Sequence, residues 1–201
     1  MKRSVAPQQN ICATLAPKQI RHKMDFKLNK TILNITDKIE EFKKNDFFIK
    51  IGQINRTLGI VRKGVLRGFV IDDNGNEVNL ILYQENDIIS GNFVPNVPAP
   101  INVQAIENCI IDVTDFSKAM LTLRDNEYLN TAFNEMVNKL HSKIQSRLTS
   151  FINYNSFDRY QFFLREYPNL INRIPNYHIA NFLGITPTQL SRIRKTFANN
   201  K

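Results

Sequence analysis

The residues with most chemical promise fall close together, between Asn176 and Lys195. Thr188, Gln189, Ser191, Arg192 and Lys195 are spaced to share the outer face of a short helix. Their amide, hydroxyl and cationic groups suit base edges and phosphate oxygens. The residues that would hold them there are also local. Ala180 is the small side chain needed where two short helices cross closely, and Gly184, four residues on, can take the positive φ of the turn between them. Ile179, Leu183, Ile185, Leu190 and Ile193 supply the apolar faces. Thr186 is placed to cap the second helix, with Pro187 at its first position, where a missing N–H costs least. This pattern predicts a DNA-binding helix-turn-helix. Its expected contacts are Thr186, Thr188, Gln189, Ser191, Arg192, Arg194 and Lys195, with Arg192 on a guanine edge and Arg194 and Lys195 on phosphates.

Other chemistry is poorly supplied. The three histidines, His22, His141 and His178, are far apart and show no metal-binding spacing; His178 reads as packing or a phosphate contact. Cys12 and Cys109 are too few for a disulfide framework, a structural zinc site or a four-thiolate cluster. There is no glycine-rich phosphate loop and no Gly-x-Ser-x-Gly elbow. No catalytic residues, metal or cofactor are expected, and the chain does not read as an enzyme.

Charge divides the 201 residues into three parts. Residues 1–44 have a net charge of +6, residues 45–140 of −4 and residues 141–201 of +7. Residues 68–117 contain no Lys or Arg but eight carboxylates. Basic ends flanking an acidic middle point to segments with different partners, the basic ones facing a polyanion. The competing reading is an interaction module whose basic tail only confers solubility. No apolar run approaches the 18 residues of a membrane span, and residues 1–10 lack the apolar core of a secretory signal. The expected location is the cytoplasm.

Residues 1–24 read as a flexible leader, with Met24 a candidate functional start. Leu28, Ile32, Ile35, Ile39 and Phe42 form a helical stripe. Short strand-like runs follow at Phe47–Ile51, Gly59–Arg62, Val65–Ile71, Val78–Tyr83, Ile101–Ala105 and Cys109–Val113. Asn74-Gly75 lies between two of these runs and is a strong hairpin signal. Many short strands with turn signals predict an antiparallel roll. The period then changes. Leu129, Phe133, Met136, Leu140, Ile144, Leu148 and Phe151 fall near a heptad seam on one long helix, and a further helix is expected from Ser156, as its N-cap, to Glu166.

Taken together, these segments resemble the Crp/Fnr family of bacterial transcription regulators, in the form common in Bacteroidetes. The resemblance rests on Arg62-Lys63-Gly64-Val65-Leu66-Arg67, on Gly75 and Glu77, and on Asp87 to Gly91. It continues through Ala105-Ile106-Glu107, Arg159-Tyr160, Tyr167-Pro168, Ile179 to Thr186, and Leu190 to Arg194. It spans roughly residues 47–196, about three quarters of the chain. It implies an α+β fold: an N-terminal antiparallel β-roll of the double-stranded β-helix type, a long dimerisation helix, and a C-terminal helix-turn-helix. The β-wing usual after the recognition helix is not expected. The expected parts are a leader at 1–24, the roll at 25–124, the dimerisation helix at 125–152 and the DNA-binding domain at 153–201. The implied partners are double-stranded DNA, a second copy of the chain, RNA polymerase and a small-molecule effector of unknown identity, but no membrane. Leu129, Phe133, Met136, Leu140, Ile144 and Leu148 would form the dimer interface.

In cyclic-nucleotide-binding members, a Gly-Glu pair and an Arg hold the ribose and the cyclic phosphate. Here Asn92 stands in place of the Glu, and a Pro or Ala in place of the Arg. Loss of cyclic-nucleotide binding is therefore expected, with Ile89, Ser90, Gly91, Asn92 and Ile101 marking an effector pocket. The rival within the family is a cyclic-nucleotide-responsive activator.

Overall fold

In the computed structural model, which describes residues 36–94 and 96–199, Asp72 organises the turn between two central strands. Its carboxylate accepts the N–H groups of Asn74 and Asn76, at 2.9 and 2.8 Å, and Gly75 takes a φ of +83°. The strands it joins are β4 (Leu66–Ile71) and β5 (Glu77–Tyr83), paired antiparallel from Ile71 opposite Glu77 to Leu66 opposite Tyr83. The remaining strands are β1 (Lys38–Phe42), β2 (Phe47–Ile49), β3 (Thr57–Lys63), β6 (Ile88–Ile89), β7 (Asn102–Ala105) and β8 (Cys109–Asp115). They form two four-stranded antiparallel sheets, ordered β1-β8-β3-β6 and β2-β7-β4-β5. Apolar residues of both sheets, among them Ile49, Ile60, Leu66, Ile81, Ile89, Val103 and Ile111, share one core, as a roll requires.

The predicted helix over Leu28–Phe42 does not extend to its end. Residues 28–35, like the leader, lie outside the described residues, but Lys38–Phe42 is strand β1, running along β8 with Lys38 opposite Val113 and Phe42 opposite Cys109. Ile39, counted in the helical stripe, stays exposed. An extended chain here satisfies the free edge of β8.

Five helices follow. Asp115 caps α1 (Phe116–Arg124) by accepting the Lys118 N–H, and Asn126 caps α2 (Glu127–Asn153) by accepting the Leu129 N–H. Asn155, rather than the predicted Ser156, caps α3 (Ser156–Glu166); its side-chain oxygen accepts from the N–H groups of Phe157 and Asp158. The last two are α4 (Asn176–Leu183) and α5 (Pro187–Asn199).

The long helix α2 does not present one continuous seam. Leu129, Met136 and Leu140 are buried in the core of their own roll, and Phe133 sits edge-on to Phe93 with ring centroids 6.4 Å apart. Further along, Ile144 is 47% and Leu148 61% exposed, and Ile152 on the same side is 74% exposed. Heptad spacing reports that a stripe wants burial, not which partner buries it. In this chain the roll takes the N-terminal half of the stripe.

A second core joins the roll to the C-terminal helices. Val65, Leu82 and Ile106 of the roll pack with Tyr160, Phe163, Tyr167, Leu170, Ile179 and Leu190.

Candidate nucleic-acid interface

The α4–turn–α5 unit is built as its residues require. Ile179, Ala180 and Leu190 are fully buried where the two helices meet, with Ile185 and Ile193 packed at the margin. Gly184 ends α4 in the left-handed region, with φ +64° and ψ +40°. A Cβ there would lie 2.6 Å from the ring of Phe151 on α2, so the glycine also permits a close helix approach. The carbonyls left free at the end of α4 have cationic partners. Arg147 donates to Phe182 O at 3.1 Å and Arg159 to Leu183 O at 3.0 Å. Burial lowers the pKa of the Arg147 guanidinium to about 10, so it stays charged at neutral pH.

Helix α5 starts with a reciprocal cap. The Thr186 hydroxyl accepts the Gln189 N–H at 3.1 Å, and the Gln189 side chain accepts the Thr186 N–H at 2.9 Å. Thr188, Ser191, Arg192 and Lys195 lie on the exposed face beyond it, and Gln189 is exposed while holding the cap. Arg194 is set apart from these. It is half-buried and donates to the Asn176 side chain at 2.6 Å, which ties it to the start of α4. Residues 186–199 contain Arg192, Arg194 and Lys195 and no carboxylate, so the free face is positive. His178 is buried rather than phosphate-facing. Burial, with Arg67 nearby, pushes its pKa down to about 4 and keeps the imidazole neutral.

The residues of the expected effector pocket are packed against neighbouring side chains of the roll. Ile89, Ser90 and Gly91 are buried, and a Cβ on Gly91 would lie 2.7 Å from both Ala99 and Ile49. The carbonyl of half-buried Asn92 accepts from the Asn55 amide and the Ser90 hydroxyl, both at 2.7 Å. Ile101 reaches the surface of Gly68, its Cδ1 3.0 Å from where a Cβ would stand. Two concavities on the roll, of about 630 and 400 Å³, are lined by residues 40–50 and 48–57 and involve none of these five.

Sequence reasoning missed the contacts that seat this unit on the roll, namely those of Arg173, Asn181 and Asn79. The partners lie 88 and 102 residues apart in the chain, and no local spacing signals such pairs. Among the described residues no group of His, Cys, Asp and Glu could hold a metal ion, and no helix is long and apolar enough to cross a membrane.

No protein-family model matches the chain. It is 26% identical over 179 residues to an anaerobic regulatory protein of Aggregatibacter actinomycetemcomitans, covering 82% of this chain and 68% of that one. An anaerobic regulatory protein of Pasteurella multocida is 27% identical over 187 residues, covering 84% and 67%. Among solved structures, FixK2 from Bradyrhizobium japonicum superposes with a TM-score of 0.72 at 12% identity, over 81% of this chain and 85% of that one. A Eubacterium rectale structure assigned to the Crp/Fnr family of transcriptional regulators gives 0.64 at 16% identity, over 86% and 83%.

Proposed function

We propose that this chain is a transcription regulator of the Crp/Fnr type that binds double-stranded DNA as a homodimer, a reading supported by its fold and its regulatory relatives. The observation that carries the reading is the helix-turn-helix itself. Its capped second helix presents Thr188, Ser191, Arg192 and Lys195 on a face with no carboxylate. On this reading exposed Arg192 contacts a guanine edge, and Lys195 and the tethered Arg194 contact phosphates. Two copies reading two half-sites would raise the affinity of so small a unit. The exposed part of α2, Ile144, Leu148 and Ile152, is the apolar surface that supports pairing. Such a regulator works in the cytoplasm, with RNA polymerase as its further partner.

Three observations support the loss of cyclic-nucleotide binding. Asn92 in place of a Glu, the absence of any Lys or Arg from residues 68–117, and Gly91 packed against Ala99 and Ile49 all disfavour a cyclic nucleotide. A buried phosphate without a cationic partner gives up a charge-assisted hydrogen bond. The cysteines do not fit an iron–sulfur cluster either. The chain has two, and burial pushes the Cys109 thiol up to about 12, so it is a packed side chain rather than a thiolate. On this reading the regulatory signal is neither of these.

The direct test is recovery of a preferred duplex from random DNA by the purified protein, followed by titration. A selected two-fold sequence bound by dimers supports the reading. Enrichment of no sequence, with a monomer in sedimentation, would refute it.

A further inference from the structure

Besides the apolar core they share, two polar fastenings, well away from the proposed reading face, tie the helix-turn-helix unit to the roll. The first is the free edge of β5. The Asn181 side chain accepts the Asn79 N–H at 2.6 Å and donates to Glu77 O at 2.6 Å, the pair of bonds a neighbouring strand would make. The Asn79 side chain answers by donating to His178 O at 3.2 Å. The second is Arg173, in the connection between α3 and α4. Its guanidinium forks onto Glu85, at 2.7 and 3.0 Å, and also reaches Glu107. These carboxylates lie just beyond β5 and β7. Glu85 is steadied from behind by the Gly64 N–H at 2.9 Å. Both fastenings hold α4 and its lead-in, and neither uses Thr188, Gln189, Ser191, Arg192 or Lys195.

From this geometry we infer that Asn181 and Arg173 are positioning residues for DNA recognition: they fix the bearing of α5 relative to the roll and α2, and so set the separation of the two reading helices in a dimer. The inference rests on the dimeric DNA-binding reading above. A loosely tethered pair of readers samples many separations and tolerates many half-site spacings, whereas a fixed pair concentrates its second reader at one spacing and penalises the others.

The test uses the full chain and a duplex recovered by selection, remade with spacers altered by one to three base pairs, and a duplex holding a single half-site. Wild-type protein should lose about tenfold or more in affinity away from the optimum spacing. Asn181→Ala and Arg173→Ala should flatten that profile to within about threefold while keeping wild-type affinity for the single half-site. The double variant Glu85→Gln/Glu107→Gln, which alters only the roll, should behave like Arg173→Ala. An unchanged spacing profile in all three variants overturns the inference. So does an equal loss on half-site and full site, because it would place the damage inside the helix-turn-helix. Wild-type protein with no DNA affinity would remove the DNA reading and this inference together, whereas intact binding with unaltered spacing preference removes only this one.

Discussion

Thr186 and Gln189 hold each other at the start of α5, each side chain accepting the other's backbone N–H, at 3.1 and 2.9 Å. This relationship fixes the first turn of the proposed reading helix. Thr186→Ala removes one half and should cost about 1 kcal/mol of stability, seen as a lower urea midpoint. Gln189→Glu should keep the cap, since a carboxylate accepts the same N–H, yet weaken DNA binding by setting a negative charge beside phosphates. A Gln189→Glu protein that binds as tightly as wild type would mean this turn does not approach the backbone.

Gly184 and the ring of Phe151 make a second such pair. Gly184→Ala should destabilise by more than the roughly 1–2 kcal/mol of forcing a left-handed residue, because the new Cβ meets the ring at 2.6 Å. Adding Phe151→Ala should relieve the steric part and leave the backbone part, which denaturation of the double variant would separate.

The two halves of the α2 stripe should respond differently to charge. Leu140 is buried against the roll, so Leu140→Asp should unfold the domain by burying an unpaired carboxylate. Leu148 is exposed in the single chain, so Leu148→Asp should leave the melting of the roll intact and shift the protein from dimer to monomer in sedimentation. Equal unfolding by both would show that Leu148 also serves the fold.

The buried imidazole of His178 sets an acid limit. Its pKa falls from 6.5 to about 4, chiefly through burial, with Arg67 and Lys44 adding to the effect and Glu77 opposing it. Below about pH 6.5 the unfolded chain takes up a proton that the folded chain refuses until about pH 4. Stability is therefore full above this window and declines as pH falls through it. Urea midpoints at about pH 7 and pH 5 should differ in wild type and converge in His178→Gln; a wild-type midpoint that does not drop would contradict the burial.

Much of this could be read from sequence because the signals were local. The period-two runs of β4 and β5 around Asn74-Gly75, and the Ala180–Gly184–Pro187 spacing, each describe a contact within a few residues. Ile39 and Phe42 fit a helical period, yet β1 is extended because its structure is decided by the distant edge of β8. The two residues of β6 are too few to show any period. The α2 stripe marks a face that wants burial, but its spacing cannot tell that the roll buries Leu129, Met136 and Leu140, since burial by the roll and burial by a second copy leave the same spacing. Of the predicted DNA contacts, Arg194 and Gln189 carry intramolecular bonds that depend on Asn176 and the cap, which residue type alone does not reveal.

Arg192 and Lys195 should separate specificity from affinity. Arg192→Ala should cost about 1–3 kcal/mol on the selected duplex and relax preference at one position per half-site. Lys195→Ala should weaken all duplexes alike.

The central claim is that α5 meets the DNA backbone as part of a pair, and the salt dependence of binding to the selected duplex tests it most directly. Two copies each placing Arg194 and Lys195 on phosphates would neutralise about four charges, giving a slope of log K against log salt of about −3.5. Wild-type protein should show a slope at least that steep, and Lys195→Ala should make it shallower by about two. A slope near zero, or one that Lys195→Ala leaves unchanged, would contradict it.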